Sequence, residues 1–155
     1  MIELSAAVRA AIARHARDEY PDECVGLLVG QVADGIVSAE DVIVLANRWT
    51  AEVPLSDAEH QHSRRDRFML DPRDYLRADR AARARGRDIV GVYHSHPDHP
   101  AEPSERDRVG AQGVGASASF AFLIQSVTAD DAGALRAWML VDDGARFAEV
   151  VIAPR

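Results

Sequence analysis

The sequence of 155 residues contains no lysine: all eighteen of its basic residues are arginine. This bias is attributable to genomic base composition rather than to mechanism, and it leaves no lysine side chain to be modified. A single cysteine, Cys24, excludes an intrachain disulfide framework. No run approaches the roughly 18 consecutive apolar residues of a membrane span. Met1 to Tyr20 is an Ala/Arg-rich amphipathic stretch without the continuous apolar segment of a secretion signal. These absences lead us to expect a cytoplasmic protein. The formal charge of -7 and a pI near 5.3 argue against a phosphate-binding surface, so neither nucleic acid nor membrane is the expected partner.

What is present fits one compact domain over residues 1–155, since 47% hydrophobic and 28% charged residues suffice for a core that can hold a rigid site. Leu4, Ala7, Val8, Ala11 and Ile12 recur at helical spacing, which predicts a helix over Ser5 to Asp18 that ends before Pro21. Cys24 to Gly30 and Ile36 to Leu45, separated by the Asp34-Gly35 turn signal, predict a β-hairpin. Asn47 to Asp71 has no clear period and reads as a long surface loop, with a candidate short strand at Phe68 to Leu70. A second helix begins at Pro72 with Asp71 as N-cap and stops at Gly86. A strand over Ile89 to His96, a short helix over Ser104 to Gly113 and three strands follow: Phe120 to Val127, Ala134 to Val141 and Phe147 to Ile152, joined by Asp-Gly and Ala-Gly type turns. Helices interspersed among hairpins predict an α/β or α+β domain with a mixed β-sheet flanked by helices.

The chemistry concentrates in Tyr93 to Asp107, where His94, His96 and a carboxylate fall within fifteen residues. On a strand, His94 and His96 point to one face with Cα atoms about 6.6 Å apart, so two imidazoles can chelate one ion. Two His and one carboxylate form a common catalytic zinc set that leaves a fourth position for water, and Asp107 supplies the carboxylate. The competing account makes the histidines ordinary strand residues and Ser104 to Asp107 a helix capping box. Both hold together if a helix starting at Ser104 turns Asp107 back toward the strand.

Water on such an ion still needs a proton acceptor, for which Glu23 is the candidate; an exposed turn residue after Tyr20-Pro21-Asp22 is its alternative. Ser104 has two candidate roles, capping the helix or donating to the oxyanion formed when water attacks a carbonyl. Asp98 and Glu102 are candidates to orient the imidazoles, and a solvated loop histidine is the better reading of His99. Cys24, at the head of an apolar run, reads as buried and inert. His60 and His62 repeat the His-x-His spacing in a polar loop without a third ligand nearby and read as surface residues.

Glu23 before Cys24-Val25-Gly26-Leu27-Leu28-Val29-Gly30, then His94-Ser95-His96-Pro97 and, after seven residues counted from that proline, Ser104-x-x-Asp107, resembles the signature of the JAMM (MPN+) metalloprotease family. The order of predicted elements extends the resemblance over nearly the whole chain, and small stand-alone bacterial-type members resemble it most. The resemblance implies a cytidine-deaminase-like α/β/α fold, Zn²⁺ bound by His94, His96 and Asp107, Glu23 as general acid/base, and Ser104 stabilising the tetrahedral intermediate. Deaminase chemistry itself is not expected, because the His-x-Glu and Pro-Cys-x-x-Cys elements are absent.

Members of this family hydrolyse peptide or isopeptide bonds at the C-terminus of ubiquitin-like proteins. Several small ones act on sulfur carrier proteins, for example releasing cysteine from a carrier in cysteine biosynthesis. That is the activity the resemblance implies here. No long insertion follows Asp107, where deubiquitinating relatives carry a substrate-gripping segment, so ubiquitin-chain cleavage is not expected. The Asn47 to Asp71 loop is the candidate for holding an extended tail by strand addition. Two alternatives stand beside this reading: a non-catalytic MPN scaffold or binding module, and a metal-dependent hydrolase of a small amide.

Overall fold

The computed structural model describes residues 1–50, 62–113 and 119–155. Among the described residues, eight strands form one mixed sheet in the order β7-β6-β5-β4-β2-β3-β1-β8. In chain order the elements are β1 Ile2–Leu4, α1 Ala6–Glu19, β2 Val25–Ala33, β3 Ile36–Leu45, α2 Pro72–Ala84, β4 Asp88–Pro97, α3 Glu105–Gln112, β5 Ala121–Val127, β6 Ala132–Val141, β7 Arg146–Val150 and β8 Ile152–Pro154. A 3₁₀ turn at Asp142–Gly144 joins β6 to β7. The mixed sheet flanked by helices agrees with the sequence.

Local chemistry sets most boundaries. Ser5 Oγ accepts from Val8 N at 3.2 Å and starts α1, whose Val8, Ile12, His15 and Ala16 are buried at helical spacing. Asp34 and Gly35 both adopt positive φ (51° and 75°), the conformation a two-residue hairpin turn requires, and β2 and β3 pair antiparallel around them. Asp71 caps α2 through Arg73 N at 2.8 Å, with Pro72 in the first turn and Gly86 at φ 67° just beyond its end.

Side chains on the two faces of the sheet build two cores. Leu28, Val90, Tyr93 and Leu123 pack with Val8 and Ile12 of α1; Leu27, Val29, Val92 and Phe122 pack with Ala78 and Ala82 of α2 and Ala111 of α3. His94 and His96 share the face of Val92, so the strand carries them out under α2 and α3. β4 pairs parallel with β5 and antiparallel with β2, which makes it an interior strand buried on both faces. Gly91 gives it room: a Cβ there would lie 2.4 Å from the Ala121 carbonyl oxygen and 2.9 Å from Leu28 Cδ1. Gly91→Ala is therefore expected to cost about 1–3 kcal/mol of stability, measured by urea unfolding.

Four expectations need correction. Phe147 to Ile152 is not one strand: β7 stops at Val150, Val151 is 71% exposed, and β8 pairs with β1 at the opposite edge of the sheet. One residue can bridge two edges only because the sheet curls until they meet, and Ile2 N donates to Val151 O at 3.0 Å at that seam. The second is β1, which sequence reasoning missed; three residues carry no period, and the strand exists through its parallel pairing with β3 and β8. Third, Phe68 to Leu70 is not a strand but an irregular segment. Fourth, Ala132-Gly133 lies inside β6, and the turn before it runs over 128–131, closed by Thr128 N donating to Asp131 O.

Candidate active site

The C-terminal end of β4 and the N-terminal turn of α3 bring three side chains together. Ser104 is the N-cap of α3: its Oγ accepts from Asp107 N at 3.1 Å, while Asp107 Oδ2 accepts from Ser104 N at 2.7 Å. This reciprocal capping box turns the Asp107 carboxylate back toward the strand. There His94 Nε2 lies 3.0 Å from His96 Nε2 and 3.3 Å from Asp107 Oδ1, and His96 Nε2 lies 3.4 Å from Asp107 Oδ2. Among the described residues, these are the one group of three or more His, Cys, Asp or Glu whose ligand atoms converge within 4.8 Å.

That geometry can be tested against an ion. Bonds of about 2.05 Å at tetrahedral angles separate donor atoms by about 3.3 Å; the two imidazole nitrogens are 3.0 Å apart, and each faces a different Asp107 oxygen, at 3.3 Å for Oδ1 and 3.4 Å for Oδ2. His96 Nδ1 lies 2.8 Å from the Pro100 carbonyl oxygen, to which it donates, and this leaves the Nε2 lone pair facing the cluster. Phe68 stacks on His94 with ring centroids 4.5 Å apart and fixes that ring from the side. Burial opposes a charged carboxylate, yet the His94 and His96 rings and the Ser104 amide hold Asp107 well below the usual carboxylate range. Burial likewise disfavours a charged imidazole, but Asp107 and the Pro100 carbonyl raise His96. The residues fit a divalent cation with nitrogen and oxygen ligands.

Glu23 reaches this cluster through the sheet register. Val25 pairs with His94, and Cys24 and Ser95 continue the ladder: Ser95 N donates to Cys24 O at 3.2 Å and Cys24 N donates to Ser95 Oγ at 2.8 Å. Glu23 lies just beyond the regular ladder, two residues before Val25, with its carboxyl near enough to Asp107 to be raised by that charge. Its backbone is tied on both sides, with Glu23 N donating to Arg64 O at 2.6 Å and Asn47 Nδ2 donating to Glu23 O at 3.0 Å. The residue is 7% exposed, so the alternative of an exposed turn residue is excluded. Burial, followed by the charges of Asp107 and Asp66, pushes its carboxyl up to about 9. A carboxyl so strongly perturbed by burial beside a group of metal-type ligands marks Glu23 as a candidate functional residue.

Neither Asp98 nor Glu102 orients an imidazole. Asp98 accepts from the Tyr20 hydroxyl at 2.9 Å, and Glu102 pairs with Arg136 at 2.9 Å; the backbone carbonyl of Pro100 does the work expected of them. His99 is exposed beside Tyr20, Pro21 and Arg65, as expected of a solvated loop residue. Cys24 is buried against α1 and burial pushes its thiol up to about 12, which leaves it inert. His62 is half-buried rather than a free surface residue and bonds Asp66 in the segment that covers Glu23; His60 lies outside the described residues. Ser104 Oγ both caps α3 and donates to Asp107 Oδ2 at 2.8 Å.

Sequence reasoning missed Ser95, Phe68 and Asn47. The alternation that turns His94 and His96 to one face necessarily turns Ser95 to the other, so a polar side chain in the core was the available signal. Nothing local marked Phe68 or Asn47.

Residues 5–141 match the family described as prokaryotic homologs of the JAB domain. The chain belongs to that family. Desampylase from Haloferax volcanii is 32% identical over 118 residues, which span 74% of this chain and 75% of the relative. A probable TtuB-protein conjugate cleaving protease from Thermus thermophilus is 34% identical over 93 residues, 60% of this chain and 51% of that one. Two solution structures share the fold across 100% of this chain. A protein from Desulfitobacterium hafniense has a TM-score of 0.78 at 28% identity with 93% of it covered, and one from Salinibacter ruber has 0.70 at 33% identity with 92% covered. Membership and these relatives make this JAB protein a peptidase of the JAMM type.

Proposed function

We propose that this JAB protein is a zinc-dependent hydrolase of the peptide or isopeptide bond that follows the C-terminus of a ubiquitin-like or sulfur carrier protein. The observation that carries the reading is the convergence of His94, His96 and Asp107, whose ligand atoms lie within 4.8 Å of one another, with the buried Glu23 carboxyl beside Asp107. Relatives named as a desampylase and as a conjugate cleaving protease support the substrate class.

In this reading His94 Nε2, His96 Nε2 and Asp107 hold the ion. When bound, Zn²⁺ acidifies water and polarises a carbonyl. Glu23 takes the proton from the attacking water and passes it to the departing amine nitrogen; the charge of a cation held by the neighbouring cluster would lower its carboxyl from the raised metal-free position, so that it can accept that proton. The Ser104 hydroxyl rotates from Asp107 Oδ2 to donate to the oxyanion of the substrate's tetrahedral carbon, while its oxygen keeps the Asp107 amide proton. Phe68 walls the site beside His94. The chain acts as a single domain in the cytoplasm. Residues 51–61 of the tail-holding loop lie outside the described residues.

Mass spectrometry of carrier adducts, before and after treatment and with and without chelator, tests this function. Release of the carrier with a free C-terminus, abolished by chelator and restored by Zn²⁺, is expected. Turnover of small amides with every carrier adduct left intact would instead favour a small-amide hydrolase, and inertness toward both would favour the scaffold.

A further inference from the structure

Asn47, just beyond the end of β3, uses its whole side-chain amide. Nδ2 donates to the carbonyl oxygens of Glu23 at 3.0 Å and Arg67 at 2.9 Å, and Oδ1 accepts from the backbone N–H of Trp49 and of Met69, each at 3.1 Å. Two carbonyls on one side and two N–H groups on the other fix the orientation of the amide and saturate it. These partners belong to three separate stretches of chain. One holds Glu23, the proposed base, two residues before β2; one is Trp49, two residues on from Asn47; the third is Arg67–Met69, which flanks Phe68, the ring stacked on His94.

We infer that Asn47 is a positioning residue for hydrolysis: its amide sets the backbone of Glu23 and the Arg67–Met69 segment relative to each other, and so aims the carboxyl at the site. The inference rests on Glu23 being the base. Few other contacts can substitute. The chain enters β2 only at Val25, so the Glu23 peptide lies outside the regular ladder and is held by Asn47 on its oxygen and by Arg64 O on its nitrogen. Met69 N and Arg67 O are likewise turned to this amide rather than to a strand.

The isosteric variant Asn47→Asp separates the two halves of the amide. A carboxylate still accepts from Trp49 N and Met69 N, but its second oxygen now faces the carbonyls of Glu23 and Arg67, where neither partner can donate. With a carrier protein bearing a fluorogenic C-terminal amide, kcat is expected to fall roughly 100-fold, the low end of what a general base contributes, while KM stays within about twofold. Zinc content of the purified protein is expected to stay at one per chain. The deciding readout is the double-mutant cycle: in a Glu23→Gln background, Asn47→Asp should lower kcat by less than about twofold, because the group it positions is already gone. Asn47→Ala, which removes the amide without adding charge, supplies the same cycle if Asn47→Asp fails to fold. Full multiplication of the two losses, or a loss confined to KM or to zinc content, would overturn the inference and leave Glu23 as base. An active, zinc-loaded Glu23→Gln protein would remove the base and this inference with it.

Discussion

Glu23→Gln is expected to lower kcat by about 10²–10⁴-fold, the range of general acid–base catalysis, with metal content unchanged. The carboxyl supplies no ligand atom to the His94, His96 and Asp107 cluster, so its loss removes proton transfer and nothing from the metal set. The same substitution should stabilise the metal-free protein at alkaline pH. A carboxyl at about 9 in the folded state and 4.5 as its ordinary value means the folded protein keeps a proton that the unfolded chain has released. Stability conferred by that proton is fully present below pH 4.5 and is lost as pH rises toward 9, by up to something on the order of 6 kcal/mol. Gln does not titrate, so the stability difference between variant and parent should grow from pH 5 to pH 9. Urea unfolding in chelator across that window measures it; curves that stay parallel would show that Glu23 is not held protonated.

The second large effect falls on the metal. His96→Ala is expected to weaken divalent-ion binding roughly 10³-fold or more, because even partners that only orient ligands cost 10–100-fold. It should abolish turnover at any practical zinc concentration. Base and ligand thus fail differently: one variant is inactive and loaded, the other inactive and empty. Competition against a chromophoric chelator separates them. The Asp107 carboxylate, deprived of one of its two imidazole partners, gains no replacement among the described neighbours, so excess zinc should rescue His96→Ala poorly.

Much of this site was legible because its determinants are local. His-x-His on a strand places both rings on one face by backbone alternation alone, and Ser104-x-x-Asp107 encodes the cap that returns the carboxylate to them. Caps, the Asp34-Gly35 turn and Gly86 set element ends from one or two residues each. Where sequence reasoning failed, the information was long-range. β1 and β8 are three residues apiece and exist only because the curled sheet offers each an edge. Asp98 and Glu102 have the right chemistry to orient a ligand imidazole, but a carbonyl at Pro100, which every residue type carries, occupies the place. Asn47 looked like the first residue of a polar loop because three of its four partners, at Glu23, Arg67 and Met69, come from segments that only the fold brings together.

The claim beneath every step is that His94, His96 and Asp107 share one ion. Anomalous diffraction at the zinc absorption edge, on crystals of the protein grown with equimolar Zn²⁺, tests it directly. A single peak is expected within about 2.0–2.2 Å of His94 Nε2, His96 Nε2 and an Asp107 oxygen, with no protein atom at the fourth position. A peak elsewhere, or these three side chains free of metal while zinc binds another group, would contradict it.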